Sequence, residues 1–254
     1  MVWHAWGEPG ARPLVLLHGG SGSWTHWIRN VVPLSQAGWR VLAPDLPGFG
    51  DSAAPDGVRD ADGMVDTVAA GLRQVAGEGP HDIVGFSFGG LVGTLLAAEH
   101  PGLVHHLVIV GAPGLGLRDK RLKLYDWRHL DEPGARADVH RRNLATLMLH
   151  HPHAIDELAV HMQEQNVTRD RMRRRRLALT DIVARTLPTL HCRFDAVYGE
   201  HDALYAQLQG ELKALLRGMP NAREVLFIPG AGHWVQYEQP QAFNEVIVQL
   251  LRGR

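Results

Sequence analysis

The chain has little cysteine, no long apolar run and almost no net charge. Cys192 is the only cysteine among 254 residues, so no disulfide can form within the chain, and a reducing cytoplasm fits. No apolar run approaches the roughly 20 residues that a membrane helix needs. The formal net charge is −1, so neither nucleic acid nor an anionic membrane is expected as a general partner.

The first residues and the histidines bear on two further features, a signal peptide and a metal site. Residues 1–6 have no basic head and no long apolar stretch, so we expect no signal peptide. The sixteen histidines are densest at 150–153, but no spaced set of His and Cys ligands accompanies them. We therefore expect no metal site and no cofactor, and a small molecule as the partner. The sequence leaves a homo-oligomer open.

Strand-like and helix-like segments alternate along most of the chain, which favours a mostly parallel sheet covered on both faces. Apolar residues make up 45% of the chain, enough for a large core. Helical spacing extends over 60–76, and a closing amphipathic helix is expected over 241–251. The strand-like segments are 13–18, 39–44, 81–85, 105–110, 193–198 and 223–228.

The middle of the chain departs from this alternation. From about 115 to 187 it is charged, rich in histidine and helical in character, without a clear strand. The sequence therefore predicts a core formed by residues 1–114 and 188–254, with residues 115–187 inserted as a helical cap over the sheet edge.

A serine lies at a predicted sharp turn between a strand and a helix. Ser87 is the centre of Gly85-Phe86-Ser87-Phe88-Gly89, which follows an apolar run and opens a helix-like stretch. The glycines beside the serine allow a strained turn that leaves the serine hydroxyl accessible at the end of the strand. Ser87 is therefore the candidate nucleophile.

Two partners for this serine follow in the chain. A serine hydroxyl needs a base to take its proton and a carboxylate to orient that base. His233 and Asp202 each follow a strand-like segment, and a parallel sheet presents such residues to one crevice. Glu200 lies two residues before Asp202 and is a rival acid.

These motifs resemble the α/β-hydrolase family over nearly the whole chain. The matching stretches are the one around Ser87 and residues 18–22, 45–52, 199–202 and 232–233. The resemblance implies the α/β-hydrolase fold, a doubly wound, mostly parallel sheet with an inserted helical cap. It also implies Ser87 as nucleophile, His233 as base and Asp202 as acid, because the family's glycine-x-x-aspartate spacing falls on Asp202.

Acyl transfer also needs hydrogen-bond donors for the developing oxyanion. The backbone N–H of Phe88, directly after the nucleophile, is one candidate donor. The family resemblance indicates Gly20, in the loop after the first buried strand, as the second. His18 and Asp45 are interpreted as residues that order their loops.

Two stretches are similar to meta-cleavage-product hydrolases, cofactor-free enzymes that split a C–C bond in ring-opened aromatics. They are residues 232–238 and 111–116. This resemblance implies that Trp234 lines the substrate pocket. The chain departs from that family after Asp156-Glu157-Leu158, where an arginine is usual, and its 18–23 loop has no proline.

The sequence predicts a cofactor-free serine hydrolase of small, largely apolar carbonyl substrates, most simply carboxylic esters. Trp24, Phe86, Phe88 and Trp234 are candidate pocket walls. Cleavage of a C–C bond is the first alternative, a ligand-binding protein without turnover is the second, and haloperoxidase activity is a third. The arginines of 169–176 are interpreted either as a solvated helix face or as the source of one arginine that holds a substrate carboxylate.

Overall fold

A mostly parallel sheet organises the molecule. The computed structural model describes residues 1–117, 122–172 and 174–253. Within them, seven strands pair in the order β1-β3-β2-β4-β5-β6-β7, and every neighbouring pair is parallel except β1 with β3. The strands are β1 Trp3–Trp6, β2 Arg12–Leu17, β3 Trp39–Pro44, β4 His81–Phe86, β5 Val104–Val110, β6 Arg193–Gly199 and β7 Ala222–Ile228.

Helices cover both faces of this sheet, as the alternation of segments predicted. The antiparallel edge strand β1 was not predicted, and α2 begins later than the helical spacing suggested, after a 3-10 turn at Asp62–Met64. The helices are α1 Val31–Gln36, α2 Val65–Ala76, α3 Phe88–Glu99, α4 Pro133–Asn143, α5 Glu157–Thr168, α6 Ile182–Thr186, α7 Gln209–Arg217, α8 Val235–Glu238 and α9 Pro240–Arg252.

The buried strands send alternate side chains into two separate cores. In β2, Leu14 and Leu16 belong to the core that α1 and α9 cover, while Val15 and Leu17 belong to the core under α2 and α3. Successive side chains of a strand point to opposite faces, so a strand covered on both sides is apolar throughout. The continuous apolar runs of the sequence have this origin.

The chain between β5 and β6 leaves the sheet. It contributes α4, α5, α6 and short 3-10 and π turns, and no strand among its described residues. The division into a 115–187 cap and a two-part core stays a prediction. In the part of the chain that the structure describes, no helix is both long and apolar enough to cross a bilayer.

Candidate active site

A strained turn holds the candidate nucleophile between β4 and α3. Ser87 has φ +49° and ψ −115°, a backbone conformation that non-glycine residues rarely adopt. The turn is crowded, because a Cβ at Gly85 would lie 2.4 Å from the carbonyl oxygen of Gly89. A Cβ at Gly89 would lie 2.3 Å from the carbonyl oxygen of Leu17. Glycine at these two positions therefore permits the turn that presents the serine.

The three residues that the sequence predicted to act together lie within hydrogen-bond distance. His233 Nε2 is 3.0 Å from Ser87 Oγ, and His233 Nδ1 lies 3.0 and 2.9 Å from the two carboxylate oxygens of Asp202. Asp202 and His233 are only 1% and 2% exposed. A carboxylate accepts, so Nδ1 carries the proton in the neutral ring and Nε2 is free to accept the serine proton.

Glu200, the rival acid, has partners other than His233. Glu200 Oε2 accepts the Gly230 N–H at 3.2 Å and is 3.8 Å from His201 Nε2, and its side chain is half-exposed. Asp202, not Glu200, contacts the His233 ring.

Glu238 fixes the loop that carries His233, and the sequence reasoning missed it. Its buried carboxylate accepts backbone N–H groups from Gly232 at 2.8 Å, from His150 at 3.0 Å and from His151 at 2.6 Å. The Trp234 N–H adds a bond to the Met148 carbonyl at 2.7 Å. The segment before α5 is thereby joined to the histidine loop. An acidic residue five positions after the histidine was the available signal.

Both predicted oxyanion donors have backbone N–H groups without an acceptor among the described residues. The Phe88 N–H is the first of α3, where an intrahelical partner is lacking. The Gly20 N–H lies in the loop after β2. That loop is close to the nucleophile, since a Cβ at Gly19 would lie 3.3 Å from Ser87 Cβ.

His26 is a second histidine of the site that the sequence reasoning missed. Its Nδ1 accepts the Gly19 N–H at 3.2 Å, and Trp234 Nε1 donates to its carbonyl at 2.9 Å. Burial lowers the pKa of His26 well below its ordinary value, and the nearby His18 and His233 lower it further. His26 is therefore a neutral imidazole that supports the glycine loop. Its place in Trp-Thr-His-Trp, shortly after that loop, was the only sequence signal.

His18 and Asp45 order neighbouring loops, as interpreted from the sequence. His18 Nε2 accepts the Leu46 N–H at 2.9 Å, so its Nδ1–H donates to the Gly19 carbonyl at 2.7 Å. Burial lowers the pKa of His18 below its ordinary value. Asp45 accepts the backbone N–H groups of Trp24 and Asp51 at 2.8 and 2.9 Å.

A cavity of about 320 Å³ opens over Ser87 and His233. Gly19, Gly20 and His26 form its floor together with the nucleophile. Most of the remaining wall is apolar or aromatic, and much of it comes from the chain between β5 and β6. These wall residues are Phe86, Phe88, Pro113, Leu124, Tyr125, Trp127, Leu147, Met148, Val167, Ala178 and Leu204.

The structure brings two of the four predicted aromatic wall residues to this cavity. Phe86 and Phe88 line it. Trp24 does not, because its ring packs between His4 and Trp6 at 5.1 Å from each. Trp234 is also outside the lining: its fully buried indole stacks on Tyr237 and donates to the His26 carbonyl. Both indoles pack against other side chains outside the cavity. The prediction that Trp24 and Trp234 line the substrate pocket is therefore wrong.

The arginine-rich segment sends one described arginine into the cavity wall. Arg175 lines the cavity, whereas Arg169 pairs with Asp51 at 2.9 Å, and Arg171 donates to the carbonyl oxygens of Gly50 and Ser52. Arg173, also part of the predicted cluster, lies outside the described residues. Among the residues that the structure does describe, no group of three or more His, Cys, Asp or Glu side chains could hold a metal ion.

The fold and the site are those of an α/β protein with a serine at a strand–helix elbow and a buried histidine–carboxylate pair beside it. Residues 14–246 match the model of the alpha/beta hydrolase family, and the chain belongs to that family. The predicted fold class is thereby confirmed.

Similar proteins include both C–C hydrolases and esterases. A 2-hydroxy-6-oxononadienedioate/2-hydroxy-6-oxononatrienedioate hydrolase of a Pseudomonas species is 28% identical over 95% of this chain and 88% of its own length. A meta-cleavage product hydrolase from Pseudomonas fluorescens superposes with a TM-score of 0.76 and 24% identity, over 99% of this chain and 93% of that one. A thermophilic esterase from Thermogutta terrifontis gives 0.75 and 24%, over 99% and 93%. At these identities the two solved structures show the shared fold.

Proposed function

We propose that this hydrolase acts through a Ser87 acyl-enzyme. The observation that carries the proposal is the continuous hydrogen-bonded chain from Ser87 through His233 to Asp202, in a site that is almost fully buried behind the serine. His233 Nε2 removes the Ser87 proton as Oγ attacks a carbonyl carbon, and Asp202 stabilises the imidazolium that forms. The same imidazolium then protonates the leaving group.

The unpaired amides of Phe88 and Gly20 supply the oxyanion site. Their N–H groups have no acceptor among the described residues, so they are available for the charge that develops on the carbonyl oxygen. Water activated by His233 attacks the acyl-enzyme in the second half of the reaction and releases Ser87. Besides the substrate and this water, the groups that these steps use are side chains and amides of this chain.

Small, largely apolar carboxylic esters are the proposed substrates. The apolar and aromatic wall stabilises a buried hydrocarbon or aryl group. A volume of about 320 Å³ suits a small substrate. We also propose that residues 115–187 act as a cap, which is supported by the many wall residues between Leu124 and Ala178.

Replacement of the nucleophile tests this function. Ser87→Ala should lower turnover of p-nitrophenyl hexanoate by at least about 10³-fold, because it removes the hydroxyl that His233 Nε2 activates. A fluorophosphonate should label the parent at Ser87 and leave the variant unlabelled. Ser35→Ala, in α1 and remote from the cavity, should behave as the parent in both assays. Parent-like ester turnover by Ser87→Ala contradicts the mechanism.

Hydrolysis of a C–C bond is the second candidate. The relatives named as dienedioate hydrolases and the 232–238 stretch favour it. Loss of the yellow absorbance of a ring-fission product, at rates well above ester turnover, would favour C–C hydrolysis over ester hydrolysis. A ligand-binding protein without turnover would leave both substrate classes intact and would fail to react with the fluorophosphonate.

A further inference from the structure

An ion pair forms part of the cavity wall beside the nucleophile. Arg175 Nη1 donates to Asp170 Oδ2 at 2.7 Å. Ser21 Oγ bridges the two side chains, because it donates to Asp170 Oδ2 at 2.6 Å and accepts from Arg175 Nη2 at 2.9 Å. The side chain of Asp170 is 9% exposed and that of Arg175 is 25% exposed. All three residues line the cavity.

This pair lies directly against the proposed oxyanion loop. A Cβ built on Gly20 would lie 3.1 Å from Arg175 Nε and 3.3 Å from Cζ. The guanidinium is also held by the Met172 carbonyl at 2.8 Å, independently of Asp170. Asp170 is held in turn by the Met172 N–H at 2.8 Å. Both charges are therefore fixed close to the reacting groups.

The balance of these two charges matters for the substrate. An unpaired guanidinium in a sheltered wall would attract a carboxylate, for which its planar donors are well suited. With Asp170 beside it, this part of the wall is neutral. Arg128, which also lines the cavity, is more than half exposed and pairs with Asp126 at 3.3 Å. A substrate carboxylate or ammonium would meet both charges at once, so their effects on it largely cancel. An ionised acyl chain therefore loses hydration in the partly enclosed site without a net attraction that offsets the loss.

We propose that Asp170 is a specificity-determining residue: by neutralising Arg175, it makes the cavity select esters with an uncharged acyl chain over esters with an ionised one. The proposal rests on the ester-hydrolase function proposed above. It assigns the same pair of side chains opposite effects on anionic and cationic substrates, which can be measured separately.

A double-mutant cycle, measured with three matched substrates, tests the proposal. These are p-nitrophenyl hexanoate, the p-nitrophenyl monoester of adipate and the p-nitrophenyl ester of ω-ammoniohexanoate, each corrected for buffer hydrolysis. The proteins are the parent, Asp170→Asn, Arg175→Gln and the double variant. The readout is kcat/KM for each charged ester divided by kcat/KM for the neutral ester, so a general loss of activity cancels.

Each variant has a defined expected result. The parent should prefer the neutral ester. Asp170→Asn should raise the adipate ratio about tenfold, and Arg175→Gln should raise the ammonium ratio by a similar factor, as expected for one unscreened charge at short range. The double variant is neutral again and should return to the ratios of the parent. Asp181→Asn removes the same charge from an exposed pair with Arg185 and should leave both ratios unchanged.

The outcomes separate the two proposals. If the parent hydrolyses none of the three esters, the proposed function is wrong. If the parent hydrolyses the neutral ester but the ratios of both single variants equal those of the parent, the charge-balancing role of Asp170 is wrong. If Asp170→Asn does not fold, Arg175→Gln and the double variant still decide, because an unchanged ammonium ratio in Arg175→Gln overturns the proposal.

Discussion

At the scale of single residues, the position of one carboxylate determines which state of His233 is available. Both oxygens of Asp202 lie within 3.0 Å of His233 Nδ1, and burial removes competing water. This arrangement holds the proton on Nδ1 and directs the Nε2 lone pair at Ser87. A neutral amide at position 202 could instead donate to Nδ1 and reverse the tautomer.

Substitution of the acid should therefore distinguish two neighbouring carboxylates. Asp202→Asn should lower kcat for p-nitrophenyl hexanoate by roughly 10³- to 10⁴-fold. Glu200→Gln is the matched control and should change kcat less than about threefold, because the Glu200 carboxylate is directed to the Gly230 N–H and an exposed histidine. Equal losses in steady-state kinetics would mean that both carboxylates act on His233, contrary to the geometry.

At the scale of elements, the elbow depends on close approach of three backbone segments. The start of α3 packs against the end of β2 and against the β4 turn, with no room for a side chain at position 89. This approach brings the loop that contains Gly20 next to the turn that carries Ser87, since a Cβ at Gly19 would lie 3.3 Å from Ser87 Cβ. Backbone atoms cannot move aside as a flexible side chain can, so the fit is sensitive to one methyl group.

Gly89→Ala should measure this sensitivity. The added Cβ would lie 2.3 Å from the Leu17 carbonyl oxygen, and we expect a loss of about 2–3 kcal/mol in the free energy of unfolding, together with lower kcat. Gly102→Ala is the control, since a Cβ there meets nothing within 4 Å and should change stability by less than about 0.5 kcal/mol. Urea denaturation gives both values, and equal midpoints would refute the steric account.

At the scale of the whole molecule, buried neutral histidines tie stability to pH. His18 and His26 each accept a backbone N–H at one ring nitrogen, from Leu46 and Gly19. Protonation of that nitrogen would remove an acceptor and would place a charge in the interior. Burial lowers the pKa of both histidines in the folded state, whereas in the unfolded chain they titrate near the ordinary value of about 6.5.

The free energy of unfolding should accordingly fall on acidification from about pH 6.5 to pH 5. Over this range the unfolded chain binds protons that the folded chain does not, and each such histidine contributes at most about 1.4 kcal/mol per pH unit. His26→Gln should reduce the slope by about one such contribution. His161→Gln, at an exposed position of α5, should keep the slope of the parent. Urea midpoints measured across this range would refute the account if the slope of His26→Gln equals that of the parent.

The order of elements and the candidates for the nucleophile, base and acid could be predicted because they depend on local pattern, and the family resemblance then favoured Asp202 over Glu200. Apolar runs such as those of β2 and β4 specify buried strands, and the glycines around Ser87 specify the turn. Ser87, Asp202 and His233 each follow a strand, and parallel strands end at one edge. The antiparallel edge strand β1 escaped prediction because so short a segment carries a weak signal.

Side-chain direction could not be predicted. Trp24 and Trp234 neighbour the motifs in the chain, yet neither ring lines the cavity. The Trp24 ring packs against His4 and Trp6, and the Trp234 ring stacks on Tyr237. The roles of Glu238, His26 and the Asp170–Arg175 pair likewise depend on groups that are distant in sequence. These are the His150 N–H, the Trp234 indole and the Ser21 hydroxyl. These side-chain directions and contacts follow from tertiary packing, which a local sequence pattern does not specify.

The sequence by itself determined the alternation of strands and helices, the serine at a glycine-flanked turn and the candidates for its two partners, because short-range periodicity and strand ends encode them. Only the tertiary structure decided which carboxylate contacts His233, which aromatic rings face the cavity and which arginine enters its wall beside a balancing aspartate. Those outcomes depend on distances between segments far apart in the chain, and only folding sets such distances.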